Sequence, residues 1–86
     1  MKHISLGLVL LLWCCSGENA EKYYNNGFLK GETGNYKEAI IDYNKAIEIN
    51  SNHSKAYYNR GDAKYNLGDY IGAIAGFNKA LEINGL

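Results

Sequence analysis

The sequence predicts an all-α protein built from antiparallel helix pairs. Three observations lead there: a tandem duplication at an offset of 34 residues, apolar stripes at helical spacing within each copy, and no Pro to interrupt a helix. Laying Ala20–Asn52 over Ser54–Leu86 pairs Tyr23, Tyr24, Asn25, Gly27 and Lys30 with Tyr57, Tyr58, Asn59, Gly61 and Lys64. The same shift pairs Gly34, Tyr36, Ala39 and Ile40 with Gly68, Tyr70, Ala73 and Ile74. It also pairs Asn44-Lys45-Ala46 with Asn78-Lys79-Ala80, and Glu48-Ile49-Asn50 with Glu82-Ile83-Asn84. So many identities at one offset mark a repeat architecture.

Residues 1–19 stand apart from the duplication. Met1-Lys2-His3 is a short basic start, and Ile4 to Trp13 is an almost unbroken apolar run. Ten such residues rise about 15 Å as a helix, half of a bilayer's hydrocarbon core. The run is too short to span and matches the apolar region of a secretory signal peptide, with the small residues Ser16 and Gly17 following. A buried N-terminal helix is the competing reading, but nothing polar punctuates the run as amphipathicity requires. Cys14 and Cys15 are adjacent and are the only cysteines, so no disulfide framework is implied. Leu12-Trp13-Cys14-Cys15 resembles a bacterial lipoprotein processing box, with Cys15 as the lipidated residue, although Cys14 stands where that motif has Gly, Ala or Ser. Export to a periplasmic or extracellular location is expected. Cleavage to a soluble product, lipidation at Cys15 and an uncleaved anchor remain open.

Repeat one, residues 20–53, predicts helices over about 20–33 and 36–49; repeat two, residues 54–86, predicts them over about 54–67 and 70–83. In the second helix Tyr36, Ala39, Ile40, Tyr43, Ala46 and Ile47 form one stripe. Gly34 supplies the left-handed stop before it, and Asn35 with Glu38 reads as a capping box. Gly68 and Asp69 repeat the stop and the cap. Gly27 and Gly61 fall inside helices, where Gly costs about 1 kcal/mol against Ala, so they are expected at close helix contacts with Ala39 and Ala73. Tyr36, Tyr43, Tyr70 and Phe77 are expected to fill the wedge between helices.

These residues resemble the tetratricopeptide repeat (TPR) family, whose unit is a helix–turn–helix of the same length. The pattern reads Tyr23…Gly27…Lys30…Ala39…Tyr43 and Tyr57…Gly61…Lys64…Ala73…Phe77, with Ala46 and Ala80 at the remaining small position. Departures are Asn26 and Arg60 in place of Leu, Lys30 and Lys64 in place of Tyr, and Ser51 and Gly85 in place of Pro. The resemblance implies a short right-handed α-solenoid that binds a protein or peptide in a concave groove lined by the first helix of each unit. On that face it places Glu21, Tyr24, Asn25 and Phe28, then Lys55, Tyr58, Asn59, Asp62, Tyr65 and Asn66. Asn amides offer both donor and acceptor to a peptide backbone, and Tyr gives rigid contact area; inherited, neutral surface is the alternative. A clamp for a terminal carboxylate is not expected, because no third unit is present and Arg60 should point away from the groove.

The rest of the composition excludes more than it proposes. Nine Lys+Arg balance nine Asp+Glu, so the basic footprint of a nucleic-acid binder is missing. No serine elbow, phosphate loop or metal-ligand cluster is present, so neither catalysis, a cofactor nor a metal is expected. His53 reads as a solvated turn residue, and Glu32, Glu38, Asp42 and Asp62 as solvent-facing carboxylates. A second candidate surface is the last helix, where Gly72-Ala73-Ile74-Ala75-Gly76 with Leu81 and Ile83 would let another chain approach; with the sequence ending at Leu86, no capping helix is expected over it. The two functional readings are therefore a scaffold binding a partner in the groove and a module that assembles with itself.

Overall fold

In the computed structural model four α-helices follow one another: α1 (Ala20–Glu32), α2 (Tyr36–Ile49), α3 (Ser54–Asn66) and α4 (Tyr70–Asn84). The structure describes residues 19–85; the expected signal segment and Cys15 lie outside them. No strand occurs among the described residues. The helices match the duplication closely because each end is chemically marked. Gly34 and Gly68 adopt φ of 85° and 90°, the left-handed conformation that ends α1 and α3 and turns the chain back. Asp69 Oδ1 accepts from the Gly72 amide at 2.9 Å, capping α4 as expected. Asn35 departs from expectation. Its side chain makes no cap bond but donates to Thr33 Oγ1 at 3.2 Å, so no capping box forms at α2.

Two caps come from residues that copy one another across the duplication. Asn19 Oδ1 accepts from the Lys22 amide at 2.8 Å, and His53 Nδ1 from the Ala56 amide at 3.2 Å. His53 is therefore not a solvated turn residue. Its ring caps α3, lies 4.9 Å from the Tyr24 ring, and places Nε2 3.3 Å from Glu21 Oε1.

Helices pair α1 with α2 and α3 with α4, and the pairs join mainly through α2 and α3. Close approach is possible because the buried core is mostly alanine: Ala20, Ala39, Ala46, Ala56, Ala63, Ala73 and Ala80, with Tyr43 the one large buried ring among the described residues. At Gly27 a Cβ would lie 2.8 Å from the Tyr43 ring and 3.1 Å from the Ala39 carbonyl; at Gly61 it would lie 3.0 Å from the Ala73 carbonyl. The expected glycine–alanine contacts are thus present in both pairs.

Three expectations fail here. Tyr70 is 59% exposed and its ring meets that of Tyr65 at a tilt, centroids 5.2 Å apart, so it fills no wedge. Gly76 faces inward, its missing Cβ 3.0 Å from the Tyr57 carbonyl, and the space beside Gly72 is taken by the Asp69 carboxylate. Both glycines have reasons within the chain and open no face to a neighbour. Asp42 is only 6% exposed; its Oδ2 lies 2.8 Å from Lys30 Nζ, tying α2 to α1. The adjacent carboxylate raises the Lys30 pKa above its ordinary value. Lys30 itself stays half in water, so the pair is screened and its net contribution small.

Candidate functional site

Of the four helices, α1 and α3 run side by side yet scarcely touch. Two bridges hold their N-terminal halves together. Asn59 Nδ2 donates to the Tyr24 hydroxyl at 2.9 Å and to the Lys55 carbonyl at 3.0 Å, while the Glu21–His53 contact closes the first turn. Beyond the Tyr24–Asn59 bridge a hollow of about 240 Å³ lies between the helices. Phe28, Gly31 and Glu32 of α1 form one wall, Asn59, Asp62 and Ala63 of α3 the other, and Tyr36 and Tyr43 of α2 the floor. The stripe on α2 and the small residues at 27 and 31 therefore serve one end: they let a buried aromatic ring lie beneath an open trough.

Electrostatics of the hollow follow from burial. Tyr43 is 2% exposed, and burial pushes its phenol up to about 12, with the nearby Tyr24, Asp62, Glu32 and Asp42 opposing a second negative charge. Its hydroxyl makes no hydrogen bond among the described residues and lies 3.7 Å from where a Cβ on Gly31 would stand. Burial likewise raises the Tyr24 phenol, partly offset by the Asn59 amide. Unfolded, Tyr43 ionises near pH 10, so between pH 10 and 12 the unfolded chain holds fewer protons than the folded one and stability falls as pH rises. Tyr43→Phe should therefore melt close to the parent at pH 7 and be about 1 kcal/mol more stable relative to it at pH 11. Chemical denaturation at the two pH values checks this; parallel curves would show that the hydroxyl is not desolvated.

A second hollow of about 290 Å³ lies between α3 and α4, lined by Ser54, Lys55, Tyr58 and Asn59 on one side and Phe77, Ala80, Leu81 and Asn84 on the other. The residues expected on one face are thus divided. Phe28 and Asp62 line the first hollow, Lys55 and Tyr58 the second, and Asn59 stands between them. Tyr24 supports from below. Asn25 is exposed but lines neither hollow, and Tyr65 packs on Tyr70 away from both. Arg60 points to α2, its Nη1 2.6 Å from Asn44 Oδ1. Sequence reasoning missed Glu32, Tyr36 and Tyr43 as lining residues, having assigned the rings to the core and the acid to open surface. Among the described residues no group of acids, histidines or cysteines could hold a metal, and no helix is long and apolar enough to cross a membrane.

Comparison with known proteins adds two matches. A TPR-repeat model matches residues 30–68 and a tetratricopeptide-repeat model residues 54–85, together reaching from the end of α1 to the end of α4. No curated protein matches the chain.

Proposed function

The chain carries tetratricopeptide repeats in an all-α helical repeat fold, and from that premise we propose that it is an exported scaffold that receives an extended segment of another protein in the trough between α1 and α3. Repeats of this kind serve protein–protein interaction, and typically without catalysis. The observation that supports the trough is its construction: a buried tyrosine floor, an exposed Phe28 on one rim, and polar side chains on both walls. Aromatic area set beside unfilled acceptors suits a peptide, whose backbone needs hydrogen bonds and whose side chains need surface. The test is affinity capture from the exported fraction with the bound protein identified by mass spectrometry, followed by competition with peptides from the captured protein. A partner that no extended peptide displaces would overturn the trough as the binding site.

Export rests on Lys2 and the apolar run Ile4–Trp13. Mass spectrometry of the native product is expected to find an N-terminus between Cys15 and Ala20, with or without acyl chains on Cys15. An intact Met1 in a cytosolic fraction would refute it.

Self-association is the second reading, and one observation favours it: on α4 Ile71 is 83% exposed, with Ile74 and Leu81 also open to solvent. With Gly72 and Gly76 engaged inside the chain, such a contact would be made by these aliphatic side chains rather than by close backbone approach. Light scattering after size exclusion separates the readings, a dimer supporting the second and a monomer the first.

A further inference from the structure

The hollow over Tyr43 has a chemistry of its own. Glu32 and Asp62 line it from opposite walls, and neither carboxylate has an ion-pair or hydrogen-bond partner among the described residues. No lining residue is basic, and Lys30, two residues before Glu32, is paired with Asp42. Asn59 has committed its amide nitrogen to Tyr24 and Lys55, which leaves its oxygen as an acceptor. Beneath them the Tyr43 hydroxyl, on a side chain almost wholly buried, has no partner either. Acidic and acceptor groups therefore converge on a space walled by the rings of Phe28, Tyr36 and Tyr43.

We propose that this hollow takes an arginine side chain of the bound segment, the guanidinium lying between Glu32 and Asp62 and against the aromatic walls. This deepens the trough reading and rests on it. A guanidinium suits the site better than an ammonium because it is planar, stacks on aromatic faces and carries five donors for the acceptors present. Its charge also offsets two carboxylates that the chain otherwise leaves uncompensated, and its donors satisfy the Tyr43 oxygen. Being partly open, the site keeps the carboxylates hydrated when empty, so it carries no large standing penalty in the free protein.

The experiment is a titration of the isotope-labelled full chain with N-acetyl-argininamide, followed by amide resonances of Gly31, Asn59 and Ala63. Saturable shifts in the millimolar range are expected, absent with the neutral isostere N-acetyl-citrullinamide. Glu32→Gln and Asp62→Asn should each weaken binding about threefold to fivefold, and the double variant by more than about tenfold. No saturable shift at these amides, or equal shifts with citrullinamide, overturns the proposal. Equal affinity for N-acetyl-lysinamide overturns the choice of guanidinium. The citrulline comparison uses the unaltered chain, so it holds even where a variant folds poorly. Failure here with a captured partner still displaced by extended peptides removes the arginine site alone; arginine binding with no such displacement removes the trough function instead.

Discussion

Gly76→Leu is expected to cost about 3 kcal/mol, the upper part of the range for overpacking. A Cβ at Gly76 would stand 3.0 Å from the Tyr57 carbonyl and 3.2 Å from the Gly61 Cα. Both neighbours are backbone, so no rotamer change can relieve the contact, and α3 and α4 must separate. Small domains have roughly 0.05–0.15 kcal/mol of stability per residue, which makes this loss a large part of the whole. Gly76→Ala separates packing from propensity. It gains about 1 kcal/mol of helix preference and loses a similar amount to the tight contact, so it should melt near the parent. Gly61→Leu meets the same contact from the other helix, with the Ala73 carbonyl 3.0 Å away, and should cost about 1–3 kcal/mol. Thermal unfolding followed by circular dichroism measures all three. If Gly76→Leu melts with the parent, the two glycines do not set the spacing of α3 and α4.

The helices were legible because each boundary carries its own chemistry and each appears twice. What escaped the sequence lay where the two copies differ. Asp42 aligns with Gly76, and the structure turns both inward; reading the carboxylate by its polarity and the glycine as part of a small-residue face put both outside. Lys30 makes that burial tolerable by reaching Asp42 Oδ2 from a partly solvated position. His53 aligns with Asn19, and the two share a role because each side chain accepts from an amide three residues on. Tyr70 fails in the opposite direction. It copies Tyr36, whose surroundings include Asp62 and Ala63 of α3, whereas among the described residues no helix flanks Tyr70 on that side. Identity at one offset predicts backbone and pair packing well, and predicts side-chain environment only where the neighbouring element is duplicated too. For the same reason the trough was half visible: Phe28, Asn59 and Asp62 could be placed on first helices, but the floor required knowing that the Tyr36 and Tyr43 rings of α2 reach the gap between α1 and α3.

Tyr58→Ala is expected to weaken the captured partner at least tenfold while leaving the fold nearly unchanged. The ring is 54% exposed and rests 5.1 Å from Phe77 at the mouth of the second hollow, so its removal opens no sealed cavity. Asn59 lines both hollows, so a segment that leaves the trough across α3 meets the Tyr58 ring next; truncating an aromatic well inside an interface commonly costs about 2 kcal/mol or more, while changes at the rim cost little. Asn59→Ala should add to the loss, but its amide also ties α3 to Tyr24, so its effect has two routes. Tyr24→Phe breaks that tie and leaves the Asn59 side chain available to a ligand, and thereby separates them. If Tyr24→Phe reproduces the whole loss seen with Asn59→Ala, the amide acts by holding α1 beside α3; if it reproduces little, the amide contacts the partner. Asp42 cannot serve as the outer-face control, because it is buried against Lys30. Glu48 can, being exposed on α2 and lining neither hollow. Retained binding by Glu48→Ala with loss by Tyr58→Ala places the partner across α3; the reverse pattern moves it to the outer face of α2 and refutes the trough.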